Sequence, residues 1–302
     1  MKHFQPNLFI PGAAKSGTTT LHELLNIHPE ICMSSHKEPA YWISLNLNNL
    51  DEVEKEKYSN LFTKKEALIF GESSTSYMYY DNFISNIKAN YKISPKFIFI
   101  LRNPIYRCYS HYWWMVGLGL EKSNFKNAVK SDLNRIFKPY SYYPDYYYQY
   151  GLYSKWLTPF YENFDRKNIK IITLESLSSH RIKMINECFI FLGLKKLESI
   201  PEIVSNKTFL LKYPRLFHFA KKTIQGKYRY TKFAKYFISE KNIQNIRNKI
   251  GSIEFIKKSA ELNYPKISSS DRMFLKEHYA LDVSKLKEIT GMQFKEWEEL
   301  ND

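Results

Sequence analysis

A short stretch near the N-terminus combines the residue types that bind an anion, and it reads GAAKSGTT from Gly12 to Thr19. Glycines let the backbone close on an oxyanion, a lysine supplies a point charge, and hydroxyl groups donate hydrogen bonds. Apolar residues recur at helical spacing from Leu21 onward, which predicts a helix that begins near Thr18. The helix N-terminus would then face the loop and favour an anion. The candidate donors are Lys15, Ser16, Gly17, Thr18 and Thr19.

The order of these residues differs from the nucleotide-binding pattern GxxxxGK[ST], in which lysine follows the second glycine and the hydroxyl holds magnesium. Here Lys15 precedes Gly17, and Thr18 stands where that lysine would be. Two other interpretations stay open at this point. One is a P-loop kinase or related phosphotransferase, and the other is an ordinary strand-to-helix turn with surface hydroxyls.

A second group of polar residues follows the clearest apolar run of the chain, Lys96 to Leu101. Arg102 comes directly after this predicted strand. Asn103 and Pro104 suit the N-cap and the first position of a helix. That helix would place Arg102 at its mouth and Ser110 in its second or third turn.

Apolar runs typical of buried strands alternate with amphipathic stretches along the chain. Strands are predicted at residues 8–10, 31–33, 67–70, 96–101 and 169–174. Helices are predicted from residue 18 and at 51–62, 82–90, 152–164 and 181–192, with two short helices in 268–301. The alternation predicts an α/β fold in which a central parallel sheet is flanked by helices, and one domain covers residues 1–302. Functional loops of such sheets lie at the carboxyl ends of strands, where Lys15, Glu38, Glu72 and Arg102 fall.

The composition is that of a globular protein. The chain has 302 residues, 44% of them hydrophobic, with 24 Tyr and 21 Phe. Its three cysteines have no metal-type spacing, which predicts free thiols in a reducing compartment. No signal sequence and no apolar run long enough to span a membrane is apparent, so a cytoplasmic protein is expected.

The net charge of +15 is concentrated in one segment. Residues 207–258 hold fourteen Lys/Arg and two acidic residues, interleaved with aromatic and aliphatic side chains. Nucleic acid, anionic lipid headgroups or a polyanionic acceptor could use this segment, and a solvated helix face would explain it equally well. Eight tyrosines lie between residues 140 and 153, where they could stack on sugars or pack internally.

Together these motifs resemble the sulfotransferases that use 3′-phosphoadenosine 5′-phosphosulfate (PAPS), particularly the branch related to the heparan sulfate and carbohydrate sulfotransferases. The segment GAAKSGTTTL at Gly12 to Leu21 is similar to the family loop that grips the 5′-phosphosulfate. The segment LRNPIYRCYSHY at Leu101 to Tyr112 is similar to the family's 3′-phosphate motif. The resemblance spans nearly the whole chain and implies the P-loop-like sulfotransferase fold.

The resemblance also implies roles for individual residues. Lys15 would contact the 5′-phosphate and the bridging oxygen, surrounded by donors from residues 16–19. Arg102 and Ser110 would hold the 3′-phosphate. The NKT sequence at residues 206–208 resembles a late loop that closes over the donor, which makes Lys207 a further candidate contact.

The segment HKEPAYW at His36 to Trp42 resembles the family's KEP segment, whose glutamate acts as general base. Glu38 is therefore the candidate base, with His36 as its rival because other sulfotransferase branches use histidine and an imidazole suits proton abstraction. The branch often has a lysine where this chain has Ser73, so one cationic contact is absent or supplied elsewhere.

The resemblance implies transfer of a sulfuryl group from PAPS to a hydroxyl or amine of a carbohydrate, polysaccharide or glycolipid, with 3′-phosphoadenosine 5′-phosphate (PAP) as product. No catalytic metal is expected. A cytoplasmic enzyme with peripheral contact to anionic membrane fits the basic segment, and nucleic acid is not the expected partner. The alternatives are a nucleotide kinase and a non-enzymatic protein that binds polyanions or membrane.

Overall fold

The computed structural model of the protein describes residues 3–44, 47–138, 144–201 and 264–300. The chain groups into two compact units. The first comprises residues 1–110, 129–206 and 267–302, and the second comprises residues 111–128 and 207–266. The single domain over residues 1–302 stays a prediction.

Five parallel strands form the central sheet of the first unit, in the order β2-β3-β1-β4-β5. They are β1 (Leu8–Ile10), β2 (Ile31–Met33), β3 (Ile69–Ser73), β4 (Lys96–Leu101) and β5 (Ile169–Thr173). The predicted α/β fold with a parallel sheet is therefore confirmed. Because β1 lies between β3 and β4, the loops that follow these three strands are neighbours.

Helices follow the strands as the alternating pattern predicts. They are α1 (Thr18–Leu25), α2 (Glu52–Ser59), α3 (Asp81–Asn90), α4 (Pro104–Gly117), α5 (Phe125–Leu133), α6 (Tyr153–Asn163), α7 (Leu174–Ser179), α8 (Arg181–Leu192) and α9 (Ser269–Thr290). Capping residues mark several ends: Asn103 Oδ1 accepts the N–H of Ile105 at 3.0 Å, and Gly193 ends α8 with φ 85°.

Two elements differ from the sequence prediction. The third strand begins and ends later than predicted, so that Glu72 and Ser73 lie in β3 and pair with Phe9 and Ile10 of β1. Main-chain pairing with a neighbouring strand decided this boundary, and local sequence cannot report it. The prediction of two short helices after residue 268 was wrong, because α9 runs unbroken for 22 residues without an internal proline or glycine.

The two faces of the sheet carry different side chains because successive residues of a strand point to opposite sides. Ile98 and Ile100 of β4 join an aliphatic cluster with α1 and α8. Phe97 and Phe99 face the other side and contact Phe160 of α6, with ring centroids 5.6 and 4.9 Å apart. The sheet is thus covered on both faces, as parallel sheets require.

The second unit is described at residues 111–128 and 264–266. Tyr112 donates a hydrogen bond from its hydroxyl to the Ser123 carbonyl at 3.0 Å and packs edge-on against Phe125. Trp113 stacks on Tyr264 with centroids 5.5 Å apart. Aromatic contacts are therefore prominent in its described part.

Most of the described tyrosines between residues 144 and 153 pack internally. Tyr146, Tyr147, Tyr150 and Tyr153 are buried. The buried Asp132 carboxylate accepts the N–H of Tyr148 at 2.7 Å and fixes the turn. These contacts favour the packing interpretation for this part of the cluster, while residues 140, 142 and 143 lie outside the described part of the chain.

Glu72 is a fully buried carboxyl group in β3. Burial raises its pKa from 4.5 to about 7, against the opposing effect of hydrogen bonds from Tyr58, Tyr77 and Ser74. Between these two values the folded state holds a proton that the unfolded chain has released, so stability falls as pH rises through this window. A shift of this size corresponds to about 3 kcal/mol.

We therefore expect urea unfolding to show a smaller loss of stability between pH 5 and pH 8 for Glu72→Gln than for the wild type. The difference should be on the order of 2–3 kcal/mol, because the amide cannot ionise. Glu66→Gln, at an exposed carboxylate, is the matched control. An identical pH dependence for Glu72→Gln and wild type would contradict this account.

Among the described residues, no helix is long and apolar enough to cross a bilayer. Cys32, Cys108 and Cys188 are buried free thiols. No cluster of three or more histidine, cysteine or acidic side chains suited to a metal ion occurs among the residues that the structure describes.

Candidate active site

The loop after β1 is held against β4 by its backbone. Ala13 donates its N–H to the Ile100 carbonyl at 2.8 Å, and Ile100 donates its own N–H to Gly12 at 3.0 Å. Ala14 donates to the Tyr79 hydroxyl at 3.2 Å. Gly17 then adopts φ 91° and starts α1. This positive φ favours glycine, and a side chain at position 17 would also have to displace the tip of Leu174.

The first turn of α1 has the properties of an anion site. Gly17 offers no side-chain cap to the helix, so the N–H groups of the first turn have no side-chain capping partner. Ser16 is fully buried, and its hydroxyl meets no hydrogen-bond partner of ordinary geometry among the described residues. Thr18 is buried and Thr19 is half-buried beside it. These groups fit an oxyanion bound at the helix N-terminus.

Arg102 brings a second positive charge to this loop. It follows β4, and its guanidinium Nη1 lies 3.5 Å from the Lys15 carbonyl. The Tyr153 hydroxyl donates to the Arg102 carbonyl at 2.8 Å and fixes the main chain there. The next residue, Asn103, donates its N–H to Glu175 at 2.9 Å. Arg102 and Lys15 therefore lie on adjacent loops, as the sequence predicted from strand ends.

The electrostatics of the loop are those of a site built for negative charge. Burial, followed in order of effect by the charges of Arg102, Arg107 and Lys37, lowers the pKa of Lys15 to about 8. Arg102, Arg107 and Lys37 repel the Lys15 ammonium, so an anion bound near these cations would relieve the repulsion. The residues present therefore fit a polyanionic ligand.

Arg107 is a residue that the sequence reasoning missed. It lies in the first turn of α4 and is completely buried, and its Nη2 donates to the Tyr147 carbonyl. Burial acts to lower the pKa of its guanidinium, but Tyr279, Tyr153 and Cys108 outweigh that effect and the pKa is raised. The sequence feature that could have identified Arg107 is a charged residue inside an otherwise largely apolar helical stretch.

Glu38 lies over the end of β3, beside the Lys15 loop. Its N–H donates to the Ser73 carbonyl at 2.9 Å, and its carboxylate accepts the Thr75 N–H at 2.8 Å. Lys37 pairs with the same carboxylate at 2.7 Å. The side chain is 42% exposed, so a ligand can reach it.

Lys15 and Glu38 share an unusual backbone conformation. Their φ angles are 65° and 61°, in the left-handed region that side chains other than glycine rarely adopt. Within the described part of the chain, only Ala40 and Phe294 share this feature among non-glycine residues. Such conformations cost on the order of 1–3 kcal/mol and cluster at functional sites, because the surrounding structure must hold them. Lys15 was singled out from the chemistry of its loop, and Glu38 was singled out from the resemblance of its segment to the family's KEP segment.

The remaining candidates have different positions. His36 is exposed on the loop between β2 and Glu38, and its carbonyl accepts the Ser34 hydroxyl at 3.0 Å. Ser110 lies in the second turn of α4 and is buried. Lys207 and the basic segment 207–258 lie outside the described residues.

Comparison with known proteins gives a family match. The family model described as "Sulfotransferase domain" matches residues 5–224. Human carbohydrate sulfotransferase 15 is 26% identical, with 68% of this chain and 48% of that protein covered. The chain therefore spans about half the length of the carbohydrate sulfotransferase 15 sequences it matches.

One further sequence and one crystal structure are similar to this chain. The membrane-associated sulfotransferase kil1 of Dictyostelium discoideum is 33% identical, over 37% of this chain and 23% of that protein. The crystal structure of a sulfotransferase from Alicyclobacillus acidocaldarius has the same fold, with a TM-score of 0.66 and 22% identity. It covers 98% of this chain and 99% of the crystallised one.

Proposed function

The chain belongs to the sulfotransferase domain family, and from this premise we propose that it transfers a sulfuryl group from PAPS to a hydroxyl or amine of a carbohydrate acceptor. The observation that carries the proposal is the position of Lys15. It lies in the loop that leads into α1, where burial and then the charges of Arg102, Arg107 and Lys37 lower its pKa to about 8. PAPS carries its charge on two phosphate-bearing positions, and this chain offers cations on two adjacent loops.

The loop after β1 and the loop after β4 would bind different parts of the donor. Lys15, Ser16 and the backbone of residues 17–19 would hold the 5′-phosphosulfate, since these groups converge at the first turn of α1. Arg102 and Ser110 would hold the 3′-phosphate, with Lys207 as a further contact. When bound, PAPS supplies the sulfuryl group and a leaving group that departs with negative charge. The Lys15 ammonium balances that charge.

Glu38 is the proposed general base. Its carboxylate takes the proton from the acceptor hydroxyl as the hydroxyl oxygen forms its bond to sulfur and the bond from sulfur to the phosphate oxygen breaks. Thr75 and Lys37 hold the carboxylate in place. Lys37 also supplies a cation near Lys15. It would take the place of the lysine that the related branch often has at the position of Ser73.

A carbohydrate acceptor is supported by the similarity to carbohydrate sulfotransferase 15 and by the KEP-like segment at residues 37–39. The proposal includes an oligosaccharide, a polysaccharide or a glycolipid. A screen of these acceptors with radiolabelled PAPS tests it most directly. We expect labelled sulfate in a carbohydrate product and release of PAP, in the presence of EDTA as in its absence.

The same assay separates the two alternatives. Magnesium-dependent turnover of ATP without transfer from PAPS would favour a kinase and overturn the proposal. The other alternative is a protein that only binds polyanions or membrane. It would show salt-sensitive binding without turnover, and this binding would survive Lys15→Ala and Glu38→Ala.

Binding of PAP should depend on pH through Lys15. Below pH 8 its ammonium is charged. A bound anion raises the lowered pKa again, so binding takes up a proton when pH exceeds 8. Affinity measured by calorimetry should therefore be nearly constant from pH 7 to 8 and fall by up to about tenfold per pH unit above it. Lys15→Arg keeps its charge and should remove this dependence. A flat wild-type profile up to pH 9.5 would contradict the role of Lys15.

A further inference from the structure

The buried Glu72 carboxyl group lies at the centre of a polar network in the first unit. Three hydroxyl groups donate hydrogen bonds to it. Ser74 Oγ lies 2.7 Å from Oε1, Tyr58 donates to Oε2, and Tyr77 supplies the third bond. All four side chains are buried. Burying polar groups costs free energy unless they are paired, so the other partners of these hydroxyls decide what the network can do.

Each of the three hydroxyls also accepts a hydrogen bond from the segment that follows the proposed base. Ser74 Oγ accepts the N–H of Ala40 at 2.9 Å. The Tyr77 oxygen accepts the main-chain N–H of Trp42 at 3.1 Å, and the Tyr58 oxygen accepts the indole N–H of Trp42 at 2.9 Å. A hydroxyl has one hydrogen, and because each donates it to the carboxylate, its lone pairs face the segment. The Glu72 carboxylate therefore fixes the direction of all three contacts.

The backbone that these contacts hold has an unfavourable conformation. Glu38 and Ala40 have φ angles of 61° and 52°, both in the left-handed region that favours glycine. Such conformations persist only where the surrounding structure imposes them. The Ser73 carbonyl accepts the N–H of Glu38 at 2.9 Å, and Ser74 Oγ holds the N–H of Ala40 two residues later. Loss of the second contact would let the segment relax and carry the Glu38 side chain with it.

The direct contacts of the Glu38 carboxylate are weaker constraints than the buried network. Its partners are the Lys37 ammonium and the N–H of Thr75, and the Glu38 side chain is 42% exposed. Ion pairs in contact with water contribute about 0–1 kcal/mol. Hydrogen bonds inside the protein are protected from competition by water. The position of the carboxylate therefore depends on the network around Glu72.

We propose that Glu72 is a positioning residue for sulfuryl transfer, which acts through the Ser74, Tyr77 and Tyr58 hydroxyls to hold the segment that carries Glu38. The inference rests on the proposed function and adds to it a residue outside the donor loops. Glu72 is completely buried, so it acts through these hydroxyls and does not itself take the proton of the acceptor.

Glu72→Gln is the main test, because the amide keeps the shape of the carboxyl group but replaces one acceptor with a donor. Burial raises the pKa of Glu72 to about 7, so kcat is measured at pH 8, where the wild-type carboxylate is ionised. We expect kcat to fall by about 10- to 100-fold, since displacement of a catalytic group by roughly 1 Å has an effect of this size. KM for PAPS and the affinity for PAP should change by less than about threefold.

A double-mutant cycle with Glu38→Gln separates positioning from a general effect on the fold. If Glu72 acts through Glu38, Glu72→Gln should lower kcat by less than about twofold once Glu38 is already replaced. A general weakening of the fold would lower kcat by the same factor in both backgrounds. Equal factors in the two backgrounds would overturn the proposal.

Tyr77→Phe and Tyr91→Phe form a matched pair within one aromatic cluster. Both tyrosines contact Trp42, Tyr77 through the main-chain N–H and Tyr91 through its ring, with centroids 5.1 Å apart. The Tyr91 hydroxyl, however, donates to the Pro6 carbonyl at 2.9 Å. Tyr77→Phe should lower kcat by about two- to tenfold, because one hydrogen bond to the segment is lost. Tyr91→Phe should leave kcat unchanged.

Hydrogen exchange measures the network without turnover. Exchange of the Ala40 and Trp42 main-chain amides should accelerate by at least about tenfold in Glu72→Gln and stay unchanged in Tyr91→Phe. Unchanged exchange in Glu72→Gln would overturn the proposal, even where Glu38→Gln leaves too little turnover for the cycle. Wild-type transfer with an unchanged kcat in Glu72→Gln would reject the positioning role alone, whereas absence of any transfer by the wild type would reject the proposed function.

Discussion

Lys15→Met is expected to lower kcat for sulfuryl transfer by on the order of 100-fold or more, since it removes the charge nearest the departing phosphate. Lys15 lies in the loop that leads into α1, while Arg102 and Arg107 are engaged with the carbonyls of Lys15 and Tyr147. The measurement is transfer from labelled PAPS at saturating donor and acceptor, together with PAP affinity by calorimetry.

Stability provides the check on this variant. Burial disfavours the Lys15 charge and Arg102, Arg107 and Lys37 repel it, so a neutral side chain of similar length should leave the thermal midpoint equal or raise it. Lys92→Met, at an exposed lysine, serves as the matched control with unchanged turnover. Turnover within a few fold of wild type for Lys15→Met would remove Lys15 from the mechanism.

Glu38→Gln is expected to lower kcat by about 100- to 10,000-fold while changing PAP affinity by less than about threefold, because general base catalysis contributes this much and the donor contacts lie elsewhere. The amide oxygen of glutamine can still accept the Thr75 N–H, so the loop keeps its position. The loss should therefore appear in kcat and not in donor binding.

His36→Gln is the companion variant that decides between the two candidate bases. If Glu38 is the base, His36→Gln should retain turnover within a few fold, because the acceptor proton then passes to Glu38 and not to the imidazole. Near-normal turnover of Glu38→Gln with a large loss in His36→Gln would transfer the role to His36. Glu66→Gln controls for the loss of an exposed carboxylate.

The local sequence determined much of the architecture and the positions that carry charge. The alternation of apolar runs with amphipathic stretches predicted the parallel sheet, and Asn103, Pro104 and Gly193 marked helix ends correctly. These features are encoded locally, because strand burial, helix capping and turn conformation each depend on a few neighbouring residues. The order of Lys15 and Gly17 likewise separated this loop from the kinase pattern.

Tertiary structure decided what no local pattern contains. Pairing with β1 extended β3 through Glu72 and buried its carboxyl group, which raised a pKa that an exposed glutamate would not have. The fold also brought Arg107 close enough to Lys15 to lower its pKa and placed Lys37 in an ion pair with Glu38. Electrostatic coupling acts through space between residues distant in sequence. The sequence therefore identified the charged residues. Only the packing of the loops over neighbouring strands determined which of these residues lie close enough to shift one another's pKa.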